Sequence, residues 1–157
     1  MEFTLEKLAG GPAIQALASG AVDAAILEEP HVSIAELDGY KVLFPDISAN
    51  IPCRTINATD SLLASNPEAL KLFIQAIDKA NKKILENPTA DDIVAIAVKY
   101  TGAPADAIKH GNDRLKFDIN LKVDGLKALG DALKEGGNIK ENPGDGIFAQ
   151  AFKGITW

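Results

Sequence analysis

The stretch GGPAIQALASGAVDAAILEEP, residues 10–30, constrains the fold more than any other part of the chain. Gly10 and Gly11 permit a tight bend and leave backbone N–H groups uncovered. Pro12 suits the first turn of a helix, where its missing N–H costs nothing. Ile14, Leu17 and Ala18 recur at helical spacing, and Gly20 stands where a helix-ending glycine would. Residues 22–27 are then a short apolar run, the pattern of a strand covered on both faces. Glu28 and Glu29 close that run, and Pro30 opens the next element. A turn, a helix, a buried strand and two terminal carboxylates predict an α/β unit that takes a ligand at the strand's carboxyl end.

The first third continues in the same style. Phe3 and Leu5 alternate with Glu2, Thr4 and Glu6 at the period of a strand. Residues 31–37 read as a short helix, Asp38-Gly39 as a turn, and residues 40–44 (YKVLF) as another strand. Residues 47–52 read as a loop and residues 54–59 as a strand of thin apolar content. From Asp60 onward the pattern is helical. Asp60-Ser61 can cap a short helix, and Asn66-Pro67-Glu68 opens a long one whose stripe is Leu70, Phe73, Ile74, Ile77 and Ile84. Asn87-Pro88 stops it. Thr89 is expected to cap the next helix, which Gly102 ends, and Pro104 opens another. Residues 113–118 read as a link, residues 120–134 as a last long helix, and Gly136-Gly137 as its stop. The tail from Asn142 reads as a loose segment with one helical turn around Phe148. Three or four strands are too few for a sheet covered on both faces, and the amphipathic helices have little sheet to cover. The helices therefore pack on each other, or a partner supplies the missing strands.

Composition excludes several function classes. The net charge of −6 comes without clustered Lys or Arg, which argues against a nucleic-acid partner. A single Cys53 cannot close an internal disulfide. No run approaches the roughly 18 consecutive apolar residues of a membrane span, and the charged, alternating start is no secretion signal. A nucleophile needs a base within reach, and the chain has two histidines, no Gly-x-Ser-x-Gly, no phosphate loop and no metal-ligand spacing. The expectation is a binder rather than an enzyme, with no cofactor and no metal.

Gly11, Ala13, Ala16, Leu17, Gly20, Val22, Asp23, Ala24 and Ala25, followed by Glu29-Pro30, resemble a segment of ABC-transporter substrate-binding proteins. The group is that of nitrate, sulfonate, taurine and thiamine-pyrimidine binders (NMT1/THI5-like, SsuA/TauA-like). Residues 66–73, residues 86–88 and Lys99-Tyr100-Thr101-Gly102 resemble the group's later helices, so the likeness covers nearly the whole chain. The resemblance implies a partial type II periplasmic-binding-protein fold of the α/β class. Residues 1–53 would be the second half of lobe two with its crossover, and residues 54–157 the returning helical part of lobe one. It also implies a fragment of a longer receptor, with a small polar ligand and an ABC permease as partners. The intact receptor would be periplasmic, or extracellular and membrane-anchored. Exposed apolar faces would favour a homodimer. A stand-alone protein-interaction module is the competing reading, and a relative of the thiamine-pyrimidine biosynthetic enzymes a weaker one, since Cys53 alone does not reproduce the Cys-rich motif of those enzymes.

The candidate ligand-binding residues are Gly10, Gly11, Glu28, Glu29, Cys53 and Arg54. The two glycines open a helix whose N–H groups can meet an anion, or they simply make a turn. Glu29 matches the acid of the family's Trp-Glu-Pro segment, and Glu28 replaces its Trp, removing an aromatic platform and adding a charge. Paired carboxylates suit a cationic or hydroxyl-bearing ligand, although neighbours on a strand point to opposite faces. Arg54 can pair with an anionic ligand or with Glu28 or Glu29, and Cys53 reads as a small buried residue. His31 is expected at a water-exposed helix start and His110 in a solvated helix end.

Overall fold

The computed structural model describes residues 3–45, 51, 54–120 and 122–147. Cys53 and the expected turn at Phe148 lie outside them. The described residues form seven helices and no strand: α1 (Gly10–Ala18), α2 (His31–Leu37), α3 (Asp60–Ser65), α4 (Pro67–Glu86), α5 (Asp91–Thr101), α6 (Ala105–Asn112) and α7 (Val123–Glu135), with a 3-10 turn at Gly144–Ile147.

The expected α/β class and partial binding-protein sheet are therefore corrected to an all-helical arrangement. The four segments read as strands, residues 3–6 ahead of α1 and residues 22–27, 40–44 and 54–59 between helices, have no ladder partner among the described residues. A strand is defined by what it pairs with, because its N–H and C=O groups need a neighbouring chain. Period-2 alternation marks which side chains would share a face, and it does not supply that neighbour. The residues assigned to a sheet core are exposed instead: Leu5 by 92%, Ile26 by 84% and Phe44 by 74%.

Helices form where the local chemistry dictates. Asn66 Oδ1 accepts the Ala69 N–H at 3.2 Å, and Pro67 occupies the first position of α4. Thr59 caps α3 by accepting the Leu62 N–H. Gly102 ends α5 at φ +71°, a left-handed conformation in which a side chain would crowd the backbone. Thr89 does not cap α5: its hydroxyl bonds Asn87 Oδ1, and Ala90 stands at the cap without a side-chain bond. The last long helix starts at Val123 rather than residue 120, because Asp118 Oδ1 captures the backbone and side-chain N–H groups of Asn120.

The chain divides into two compact units, each made of two segments: residues 1–43 with 83–117, and residues 44–82 with 118–157. In the first unit α2 packs on α6, α6 on α5 and α1 on α2. Its core is small: Val94, Ala103 and Ile108, flanked by Ile34, Ala97 and Val98. Asn112 is buried at the end of α6, and its side-chain amide donates to the Pro88 carbonyl at 2.6 Å, which ties α6 to the turn before α5. In the second unit Asn142 lies against Gly130 of α7, where a Cβ would come within 2.5 Å of its amide oxygen. Its amide nitrogen donates to the Lys127 carbonyl and to Asp131, and its oxygen accepts the Gly144 N–H.

Candidate functional site

The first unit holds an open cleft of about 490 Å³. One wall is the first half of α1, with Gly11, Ile14 and Gln15; the second is Glu28 to His31 with Ile34 of α2; the third is the turn from Thr101 to Pro104. Two sequence features make this geometry. The helix start at Gly10 brings α1 to the beginning of α2. The left-handed Gly102 turns the chain from α5 into α6. Between α1 and α2 the chain reaches Pro30 through a cis Glu29–Pro30 peptide bond.

Gly10 and His31 meet at one corner. A Cβ on Gly10 would lie 2.6 Å from the imidazole ring, so glycine at this position is a packing requirement as well as a turn. His31 begins α2, but its ring is packed rather than open to water, and its Nδ1 is buried without a hydrogen-bond partner among the described residues.

Glu29 forms the other anchor. Its side chain is only 10% exposed. Oε2 accepts the Ser33 N–H at 3.2 Å, so the carboxylate bonds a donor of the first turn of α2. The Arg114 Nε lies 3.2 Å from Oε1, close enough for an ion pair, yet it is not aligned for a hydrogen bond, and Oε1 is buried without one. Arg114 also donates to the hydroxyl of the fully buried Ser33 at 2.9 Å and pairs with Glu36. His110 Nε2 completes the cluster 3.1 Å from Glu36 Oε2. Gly111 lets α6 approach: a Cβ there would come within 2.6 Å of Glu29 Oε2 and 2.9 Å of Ser33 Oγ. Hydrogen bonding from Arg114 holds the Glu36 carboxyl below its ordinary value, against a smaller opposing effect of burial.

The candidate residues separate accordingly. Gly11, Glu28 and Glu29 line the cleft, and Gly10 supports its corner through His31. Both glutamates line the cleft because the segment carrying them is not a strand, so strand alternation does not apply. Arg54 belongs to the second unit and is not a lining residue. The expected pairing of an arginine with Glu29 is made by Arg114. His110 is half-exposed, and its Nε2 lies within hydrogen-bond distance of Glu36 Oε2 rather than being merely solvated. Arg114 and Ser33 were not singled out in the sequence. The signal for Arg114 is present as Lys109, His110 and Arg114 at the end of one helix, opposite in charge to Glu29 and Glu36 around another.

Among the described residues no group of His, Cys, Asp and Glu side chains is placed to hold a metal ion, and no helix is long and apolar enough to cross a membrane. The NMT1-like family model matches residues 2–98, more than half of the chain and all of the cleft except the turn from Thr101 to Pro104. The chain belongs to the NMT1-like family. No curated protein and no solved structure matches it.

Proposed function

We propose that this chain is the ligand-binding portion of a solute receptor that delivers a small polar molecule to an ABC importer. Membership of the NMT1-like family is consistent with a family of solute-binding receptors. The observation that carries the reading is the cleft itself. It lies within one unit, and two of its three walls come from residues 11–34, inside the family match. Its volume falls within the roughly 300–1,000 Å³ usual for small-ligand sites. In this reading the protein binds and releases its ligand unchanged, an ABC permease subunit receives it, and the intact receptor works in the periplasm or anchored outside the cell. The SsuA/TauA-like subgroup supplies the candidate ligands.

A thermal-shift panel of taurine, nitrate, alkanesulfonates, pyrimidines, amines and amidines tests it. Stabilisation grows with the ratio of ligand to Kd, at about 2.7 kcal/mol when the ligand is at 100 Kd. At least one member is expected to raise the melting temperature by several degrees at millimolar concentration. A panel in which nothing shifts would overturn the receptor reading. The exposure of Phe3, Leu5, Ile26 and Phe44 favours the second reading, an interaction module. That reading gains if the panel is silent and the chain forms a stoichiometric complex with itself or another protein.

A further inference from the structure

We infer that Arg114 is a positioning residue of the cleft: from just beyond α6, outside the lining, it clasps one side of α2 and so sets which side α2 turns to the cleft. The inference rests on the receptor reading for the use of the cleft, and the clasp itself is tested without a ligand.

The clasped side follows from the spacing. Glu29, Ser33 and Glu36 are separated by four and three residues, so they stack along one side of α2 and its lead-in. Arg114 reaches all three. Its Nε lies 3.2 Å from Glu29 Oε1, and its Nη2 donates to Ser33 Oγ at 2.9 Å and to Glu36 Oε2. Pro30, His31 and Ile34 of the same segment line the cleft, and the helical period puts them on the neighbouring side. A helix is rigid about its axis, so fixing one side fixes the other. The guanidinium is planar and presents its N–H groups in a fixed fork. Three contacts at once therefore set a rotation of α2 as well as a distance.

The clasp has a firm base. The Arg114 N–H donates to the Gly111 carbonyl at 3.0 Å and the Leu115 N–H to the Asn112 carbonyl at 3.3 Å, which places Arg114 in the turn that closes α6. Asn112 ties that end of α6 to the Pro88 carbonyl, and Gly111 brings it against Glu29 and Ser33. Charge makes the clasp hard to replace. The Glu29 side chain is only 10% exposed and Arg114 is its cation. A nearly buried carboxylate stripped of its partner is strongly disfavoured, so Glu29 would turn toward water. Glu29 lines the cleft, and its movement changes the wall. His31 reports the same event, because its ring fills the space beside Gly10 and a roll of α2 would carry it away.

The first test uses the full chain without ligand and reads amide and imidazole NMR signals. Arg114→Met removes the charge and the fork; Arg114→Lys keeps the charge alone. Lys109→Ala is the control, since it removes an exposed cation of α6 whose partner is Asp91. Arg114→Met is expected to move the Glu29, His31 and Ile34 amides and the His31 imidazole, Arg114→Lys to move them less, and Lys109→Ala to leave them in place. In a Glu29→Gln background Arg114→Met should move them less than in the wild type, because Arg114 acts partly through Glu29. If Arg114→Met fails to fold by circular dichroism, Arg114→Lys against Lys109→Ala decides. Unmoved His31 and Ile34 signals, or movement as large in Lys109→Ala, would overturn the positioning role. The second test titrates Arg114→Lys calorimetrically with taurine, nitrate, alkanesulfonates, pyrimidines, amines and amidines. Any of these that binds the wild-type chain is expected to bind about tenfold more weakly, the scale on which partners behind metal ligands act. Unchanged affinity would overturn the role of Arg114 and leave the receptor reading standing. Silence on the wild-type chain would overturn the receptor reading, and the clasp would stand or fall on the NMR signals.

Discussion

Replacing Gly111 by Ala adds one methyl group where α6 meets α2, and the structure fixes its sign. Gly111 has an ordinary helical φ, so no backbone strain opposes the change. At an open helical site Gly→Ala stabilises by up to about 1 kcal/mol. At Gly111 the new Cβ would stand 2.6 Å from Glu29 Oε2, 2.8 Å from its carboxyl carbon and 2.9 Å from Ser33 Oγ. These atoms have little room to retreat. Glu29 is held by the Ser33 N–H on one side and Arg114 on the other, and Ser33 is fully buried. Overpacking of this kind costs about 1–3 kcal/mol, so a net loss of about 1 kcal/mol is expected. Gly11→Ala is the control, since a Cβ there meets nothing within 4 Å and the helical gain should appear alone. The two variants should differ by about 2 kcal/mol, or about 4–8 °C in melting temperature for a chain of this size. Thermal denaturation followed by circular dichroism at 222 nm reads this difference. Equal melting temperatures would refute the close packing of α6 on the Glu29–Ser33 pair.

Asn112→Ala removes the amide that bonds the Pro88 carbonyl from a buried position, and it should destabilise by about 1–3 kcal/mol in urea denaturation. Asn112→Asp, which loses the donor, should cost at least as much. Stability should also fall on the acid side. The Glu36 carboxyl, held low chiefly by Arg114, contributes stability that is complete above its ordinary value of 4.5 and is lost as pH falls through its depressed folded value. The pair is partly exposed, so about 0.2–1 kcal/mol is at stake. Glu36→Gln should flatten the acid limb of the stability–pH curve, and an unchanged limb would count against the cluster.

The helices were legible because their signals are local. Asn66-Pro67, Asn87-Pro88, Gly102 and Gly136-Gly137 each fix a boundary through the chemistry of a few residues, and α2 spans residues 31–37 as its pattern predicts. The strands were not legible in the same sense, since alternation at Phe3 and Leu5 identifies a face but pairing is a long-range property. Of the site, Gly11, Glu28 and Glu29 stood out because they lie together in sequence. Arg114 did not, because 85 residues separate it from Glu29 and nothing local says that Gly111 admits α6 to α2. His31 was misjudged for a related reason: only the missing side chain of Gly10, distant in sequence, makes the space its ring fills.

In the receptor reading a ligand enters the cleft between α1, α2 and the Thr101–Pro104 turn. The most direct measurement is a titration of the 15N-labelled chain followed by amide chemical shifts, using whichever panel member stabilises it. The shifts are predicted to concentrate at Gly11, Gln15, Glu29, His31, Gly102 and Ala103, and to saturate with one affinity. Shifts that concentrate on residues away from this cleft, or no saturable shifts at all, would contradict it.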